Sequence, residues 1–296
     1  MLLAKKKTNK IIESKGDRVL TLITTLILLL LIFIVGYPVV YVVSSSFSSA
    51  VAIRSARVIL FPVEFTLQGY RFVFDYDSFW IGLRNSAFYT VCGVSITMFL
   101  EIMAAYPLSK RNYQGGKGIM MIFFFTTLFA AGMIPTFIVK AVYLGMYGTV
   151  WAVLFASAIG VTDMIILRTA FRSIPGELFD AAAIDGANEF QTLVQIALPL
   201  VKATVSTLIL YSAVGCWNEY FNAMIYLSNN ETLQPLQLVL RNLLMAADVV
   251  DPSLVDTGME QMRYALIVVS TVPVLVFYFV VQKYFKKGVM IGSVKG

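Results

Sequence analysis

The chain has 296 residues, 58% of them hydrophobic and 14% charged, with a formal charge of +6 and a mean hydropathy of +0.79. That is too apolar for a soluble domain, so lipid must be the solvent for most of it. With no histidine present, His-rich zinc sites and Ser/His or Cys/His nucleophile pairs are excluded. The basic residues sit at the ends of apolar runs and not in a stripe interleaved with aromatics, which argues against nucleic acid as a partner. Cys92 and Cys216 lie within separate apolar runs and read as small buried residues, not as a disulfide or redox pair.

The first apolar run, Val19 to Val43, follows Lys5, Lys6, Lys7, Lys10 and Lys15. It is longer than the roughly 7–15 residues of a signal-peptide core, so it reads as a retained first helix. Further runs predict spans from Asn85 to Tyr106, Ile119 to Val142, Thr149 to Leu167, Thr204 to Leu227 and Tyr264 to Val281. Each is long enough to cross a hydrocarbon core, and each must be helical because lipid offers backbone groups no partners. The fold expected is therefore all-α, a polytopic membrane protein with six transmembrane helices, in a single domain over residues 1–296.

Charge sets the orientation. With both termini cytoplasmic, sixteen of the 23 Lys and Arg residues fall inside and seven outside, as the positive-inside rule requires. Two outer segments are long. Ser44 to Arg84 is rich in Phe, Tyr and Trp and reads mostly as an aromatic belt at the membrane surface. In Ser228 to Arg263, Leu236, Val239, Leu240, Leu243 and Leu244 recur at helical spacing and predict a short amphipathic helix. Gly115-Gly116-Lys117-Gly118 lacks the upstream glycine and the Ser or Thr of a phosphate-binding loop, and reads as a cytoplasmic turn.

The cytoplasmic segment between spans four and five, residues 171–201, reads FRSIPGELFDAAAIDGANEFQTLVQIALPLV. Pro175 opens a helix, Glu177 and Asp180 suit its positive end, and Gly186 breaks it, so two short helices at an angle are expected. The alanines and the glycine permit close approach of another protein, and the carboxylates offer pairing to basic groups. Asp180, Ala181, Ala182, Asp185, Gly186 and Ala187, followed by Ile196, Leu198 and Pro199, resemble the EAA loop of binding-protein-dependent ABC importer permeases. Asp180 stands where the family usually carries glutamate. The resemblance runs over essentially the whole chain and narrows to the MalG-like carbohydrate permeases, with Trp217-Asn218-Glu219-Tyr220 and the closing Gly288 to Gly296 as weaker signals.

The resemblance implies a type I ABC importer permease fold in a bacterial cell membrane, importing an oligosaccharide or glycoside. It implies a second homologous permease subunit, two ATP-binding subunits that hold ATP and Mg, and an extracytoplasmic solute-binding protein as partners, with no cofactor bound by this chain. It also implies docking of the loop on an ATP-binding subunit, and a cytoplasmic tail over residues 283–296 in which Gly292, Val294, Lys295 and Gly296 reach between those subunits.

In span five, Tyr211, Gly215, Asn218 and Asn222 fall on one helical face. They either line a sugar path or hydrogen-bond a neighbouring helix. Glu101 and Asp163 read as interface residues or partners of Arg168 or Lys110. An intramembrane enzyme would need a catalytic dyad, and a stand-alone secondary transporter an inverted repeat; neither is visible in the sequence.

Overall fold

The structure, a computed structural model, describes residues 14–129, 131–156, 158–249 and 257–292, and every regular element among them is helical. Helix α1 (Lys15–Ser46) begins with a capping box in which Ser14 and Asp17 satisfy each other's backbone N–H groups. Its Leu, Ile, Val and Phe side chains are exposed from Val19 to Val40, as suits a helix facing lipid.

Helices α2 (Ala50–Arg54) and α3 (Gln68–Asp75) follow. Helix α4 (Asp77–Ser109) is long, apolar and central. Helix α5 (Gly116–Leu128), entered through Gly115 at φ +81°, meets α6 (Met133–Phe137) and its π-helical continuation Ile138–Tyr143 at 118°. Then come α7 (Val150–Leu154), α8 (Val161–Arg172), α9 (Gly176–Ile184) and α10 (Glu189–Thr192). A π-helical stretch, Leu193–Ala197, leads into α11 (Leu198–Leu200), and α12 (Lys202–Trp217) leaves that assembly at 84°. The chain closes with α13 (Phe221–Tyr226), α14 (Leu236–Val249) and α15 (Thr257–Gly292).

Among the described residues three helices are long and apolar enough to cross a membrane, Gly16–Ser46, Asp77–Ser109 and Met259–Phe279, or up to five if each of the two bent pairs is one span. The fourth expected span is corrected: Thr149 to Leu167 forms two helices, α7 and α8. The Gly160 N–H that a continuous helix would tie to its own backbone instead donates to Glu101 Oε1 at 2.9 Å. The fifth expected span also stops early, at Trp217. The Asn222 N–H donates to Glu219 Oε1 at 2.8 Å, and α13 begins as a separate turn of helix.

Helix α4 holds the interrupted segments together through polar side chains. Asn85 Nδ2 donates to the carbonyls of Thr232 (2.8 Å) and Gln234 (3.0 Å), and the Tyr89 hydroxyl donates to Leu233 O at 2.9 Å. Ser86 Oγ accepts the Leu236 N–H at 2.9 Å. Each bond removes a buried backbone group that would otherwise cost about 1–3 kcal/mol unmade. One apolar cluster fills the end nearest α9 and α10, with Leu167, Phe171, Leu193 and Leu208 buried. Two others fill the opposite end, around Phe79, Trp217 and Leu236 and around Tyr89, Leu154 and Leu238.

The aromatic-rich outer segment is more than a surface belt. Phe61, Phe65 and Trp80 are exposed, but Val73 and Phe79 are buried against α15. Tyr70 OH lies 2.8 Å from Ser46 Oγ, Gln261 Nε2 donates to Ser48 O at 3.0 Å, and Arg54 pairs with Glu260 at 2.7 Å. The amphipathic helix expected from the leucine spacing is α14, with Leu236, Leu238 and Val239 buried.

Gly69 is where α3 touches α15 most closely: a Cβ there would stand 2.7 Å from Gln261 O and 2.8 Å from its carbonyl carbon. Backbone cannot swing aside as a side-chain end can. Gly69→Ala is therefore expected to destabilise the protein by about 1–3 kcal/mol, read as a lower melting temperature of the detergent-solubilised chain. An unchanged melting temperature would show that this contact is loose.

Candidate functional site

Helix α9 opens after Pro175, which presents no N–H to leave unsatisfied, and carries Glu177 in its first turn. It ends in a Schellman turn: the Ala187 N–H returns to Ala182 O at 3.0 Å and the Gly186 N–H to Ala183 O at 3.1 Å. That turn puts Gly186 at φ +79°, where glycine alone rests without strain. Asn188 then caps α10 through a reciprocal box with Gln191, both bonds at 2.9 Å. The two short helices are thus stopped and restarted within four residues, which fixes the angle between them.

The segment is anchored from below and bare on top. Ala182, Thr192, Leu193 and Ala197 are buried in the core. Asp180, Ala181, Asp185, Gly186 and Pro199 are exposed, and Ala187, Ile196 and Leu198 are half-buried. Ile184 is 86% exposed and Phe190 67%, a cost that an isolated hairpin has no reason to bear. Glu189 pairs with Lys110 and accepts from the Tyr106 hydroxyl at 3.0 Å, tying α10 to the end of α4. The Lys110 hydrogen bond, followed by that of Tyr106, holds the Glu189 carboxyl below the usual carboxylate range. Arg168 Nε donates to Leu108 O at 2.7 Å and Lys110 is taken by Glu189, so of the two alternatives for Glu101 and Asp163 the ion pair with these bases is not formed.

A cavity of about 270 Å³ lies deeper, between α4, the α7–α8 break and α12. Tyr211 and Gly215 line it, together with Glu101, Asp163 and Glu219. Asn218 and Asn222 are not among its lining residues. Asn218 Oδ1 accepts from Gln237 at 3.4 Å, and Asn222 Nδ2 donates to Glu219 at 3.0 Å. The single helical stripe expected from the sequence is therefore divided, because α12 ends before Asn218. Sequence reasoning set Glu101 aside. The signal that could have found it is a carboxylate in an apolar helix paired in space with a glycine at a broken one, and spacing along one chain does not carry that. Of the tail, Gly292 ends α15, and Val294, Lys295 and Gly296 lie outside the described residues.

No protein-family model matches the chain. Its relatives are nonetheless clear. It is 37% identical over 275 residues to the polygalacturonan/rhamnogalacturonan transport system permease protein YtcP of Bacillus subtilis (strain 168), covering 91% of this chain and 96% of that protein. It is 27% identical over 274 residues to the inner membrane ABC transporter permease protein YcjP of Escherichia coli (strain K12), covering 91% and 94%. Among solved structures, a chain of a bacterial ABC transporter involved in the import of the acidic polysaccharide alginate superposes with a TM-score of 0.85 at 34% identity, over 93% of this chain and 100% of that one. An all-helical, membrane-embedded chain with near full-length likeness to such permeases is a transport subunit that leaves ATP hydrolysis to a partner, and it belongs to the binding-protein-dependent ABC importer permeases of carbohydrate systems.

Proposed function

We propose that this chain forms one half of the translocation pathway of an oligosaccharide importer and receives its driving force through α9 and α10. The observation that carries the reading is a rigidly capped helix pair whose anchored side is buried in the core while Asp180, Asp185 and Ile184 stand exposed. Helix α8 runs directly from the cavity to α9, and Phe179, Leu193 and Ala197 seat the pair in the cluster that α4 and α8 share. Closure of the ATP-binding subunits, which bind ATP and Mg, pushes this pair and moves α8 against α4. The inner gate shuts and the outer face opens to a loaded solute-binding protein, a change of the hinge and shear kind.

In this reading the chain crosses the membrane six times, α7 and α8 together making the broken fourth pass, with both termini and residues 171–201 cytoplasmic. The distribution of Lys and Arg supports that orientation. Asp180, Ala181, Ala182, Asp185, Gly186, Ala187, Ile196, Leu198 and Pro199 form the contact with one ATP-binding subunit. The tail from Gly292 through Gly296 reaches between the two, and a second homologous permease completes the pore. Tyr211 lies on the pathway through the cavity it lines, while Asn218 and Asn222 support the outer end through Gln237 and Glu219.

A cysteine placed at Glu189 in intact cells is expected to resist a membrane-impermeant thiol reagent and to react once the membrane is opened. Rapid labelling from outside would reverse the orientation.

Gly186→Asp forces a side chain onto a left-handed backbone and adds charge between Asp185 and Glu189. Uptake is expected to be abolished while the chain is still found in membranes at near-normal level. Asp180→Asn removes one charge-assisted pair, worth about 1.5–3 kcal/mol, and is expected to reduce co-purification of the ATP-binding subunit. Normal uptake and normal co-purification in both variants would remove α9 and α10 from the coupling role.

A further inference from the structure

The end of α4 nearest the helix pair is bordered by two cavities that share one residue, Lys110. The first, about 410 Å³, is apolar: Met103, Tyr106 and Pro107 of α4 line it with Phe190, Leu193 and Tyr113. The second, about 440 Å³, is basic: Lys110, Arg111 and Arg172 line it with Ile174, Phe179 and Asp180. Both volumes fall in the range of ligand pockets, which begins near 300 Å³.

The charges at this end are not balanced. Lys110 is held by Glu189, while Arg111 and Arg172 are exposed and form no hydrogen bond or ion pair with the described residues. Three cations, Lys110, Arg111 and Arg172, against two carboxylates, Asp180 and Glu189, leave the lining of the two cavities with one positive charge in surplus.

An apolar stripe leads into the first cavity. Phe88, Val91, Phe99 and Met103 recur at helical spacing along α4 and are all exposed, and Ser95, which falls between them, spends its hydroxyl on Val91 O at 2.7 Å. Helices that pack on one another in lipid do so through small side chains that let the backbones approach. This stripe carries large ones, as a face turned to acyl chains does. Met103 lies about 10 Å from Lys110 along the helix axis, less than the roughly 15 Å depth of one hydrocarbon leaflet. A molecule that fills both cavities therefore has a chain at leaflet depth and a negative charge at the membrane surface.

We propose that the two cavities form a site for one anionic phospholipid, its phosphodiester against Arg111 and Arg172 and an acyl chain in the groove between Met103 and Phe190. Basic pockets at the ends of spanning helices recognise such headgroups. A zwitterionic lipid would bring its own cation into the same space and lose most of the attraction. The site borders α10 through Glu189 and α9 through Asp180, so its occupant touches the helix pair as well as the span. It depends on the chain being embedded in lipid and not on the nature of the cargo.

The assembled importer is reconstituted in phosphatidylcholine bilayers that contain, at the same low mole fraction, either phosphatidylglycerol or phosphatidylcholine bearing a diazirine in one acyl chain. After illumination, the labelled peptides of this chain are mapped by mass spectrometry. The phosphatidylglycerol probe is expected to label residues 103–113 or 186–193 about fivefold more than the phosphatidylcholine probe, the factor that one surplus cation near an anionic headgroup gives. Arg111→Gln combined with Arg172→Gln should bring the two probes level, and Arg111→Lys combined with Arg172→Lys should retain the preference. Excess inorganic phosphate should leave the labelling unchanged. Equal labelling by the two probes in the parent chain shows ordinary boundary lipid and overturns the site. So does a preference that survives the glutamine pair or is lost in the lysine pair. Loss of label on adding inorganic phosphate, which marks a free-anion pocket, overturns it too, as does absence of label from both segments, which marks a groove covered by a protein partner. Co-purification of the ATP-binding subunit in each preparation tests the importer reading separately.

Discussion

Hydrocarbon offers a polypeptide no hydrogen-bond partners, so wherever this chain leaves helical geometry within an apolar stretch some other group must take its N–H and C=O groups. Helix α4 supplies most of them. Glu101 takes the Gly160 N–H at the α7–α8 break, Ser86 takes the Leu236 N–H, and Asn85 and Tyr89 donate to the carbonyls of Thr232, Leu233 and Gln234. Without these bonds the Gly160 N–H beside the cavity would be left unpaired, and the turn before α14 would lose its ties to α4. The remaining helices are arranged around a span whose polar side chains are spent on other elements' backbone.

The same arrangement links the cavity to the surface. Glu101 sits on α4 opposite the start of α8, and the far end of α8 passes through Ser173 and Pro175 into α9. Lys110, at the foot of α4, holds α10 through Glu189. Helices α4 and α8 are therefore tied together at both ends, near the cavity by Glu101 on the Gly160 N–H and near the exposed helix pair by Arg168 on Leu108 O. In the proposed mechanism, a push on α9 and α10 cannot move one of these helices without working on the other. The Schellman turn at Gly186 and the cap at Asn188 keep the pair stiff enough to transmit it.

Much of this was legible in the sequence, for identifiable reasons. Long apolar runs such as Val19 to Val43 and Tyr264 to Val281 need only length and composition, and they appear within α1 and α15. The turn at Gly186 and the start at Pro175 are local chemistry, readable from adjacent residues. Two of the departures are equally physical. Thr149 to Leu167 is apolar enough for one span, but its interruption depends on Glu101, some sixty residues earlier, taking the Gly160 N–H. The polar stripe from Tyr211 to Asn222 assumed an unbroken helix, and the Glu219–Asn222 bonds that accompany its end look like ordinary helical neighbours in sequence. Long-range satisfaction of backbone groups leaves no periodic mark on either segment.

The most direct measurement of the central claim is a cross-link between the exposed tip of the helix pair and its partner. Ile184, 86% exposed beside Asp185 and Gly186, is replaced by cysteine in a chain otherwise lacking cysteine. The assembled importer is then treated with a short thiol-to-amine reagent with and without ATP. The account predicts a covalent product with the ATP-binding subunit whose yield changes on adding ATP. A product formed only with the solute-binding protein, or no product in a complex that retains its ATP-binding subunits, would contradict it.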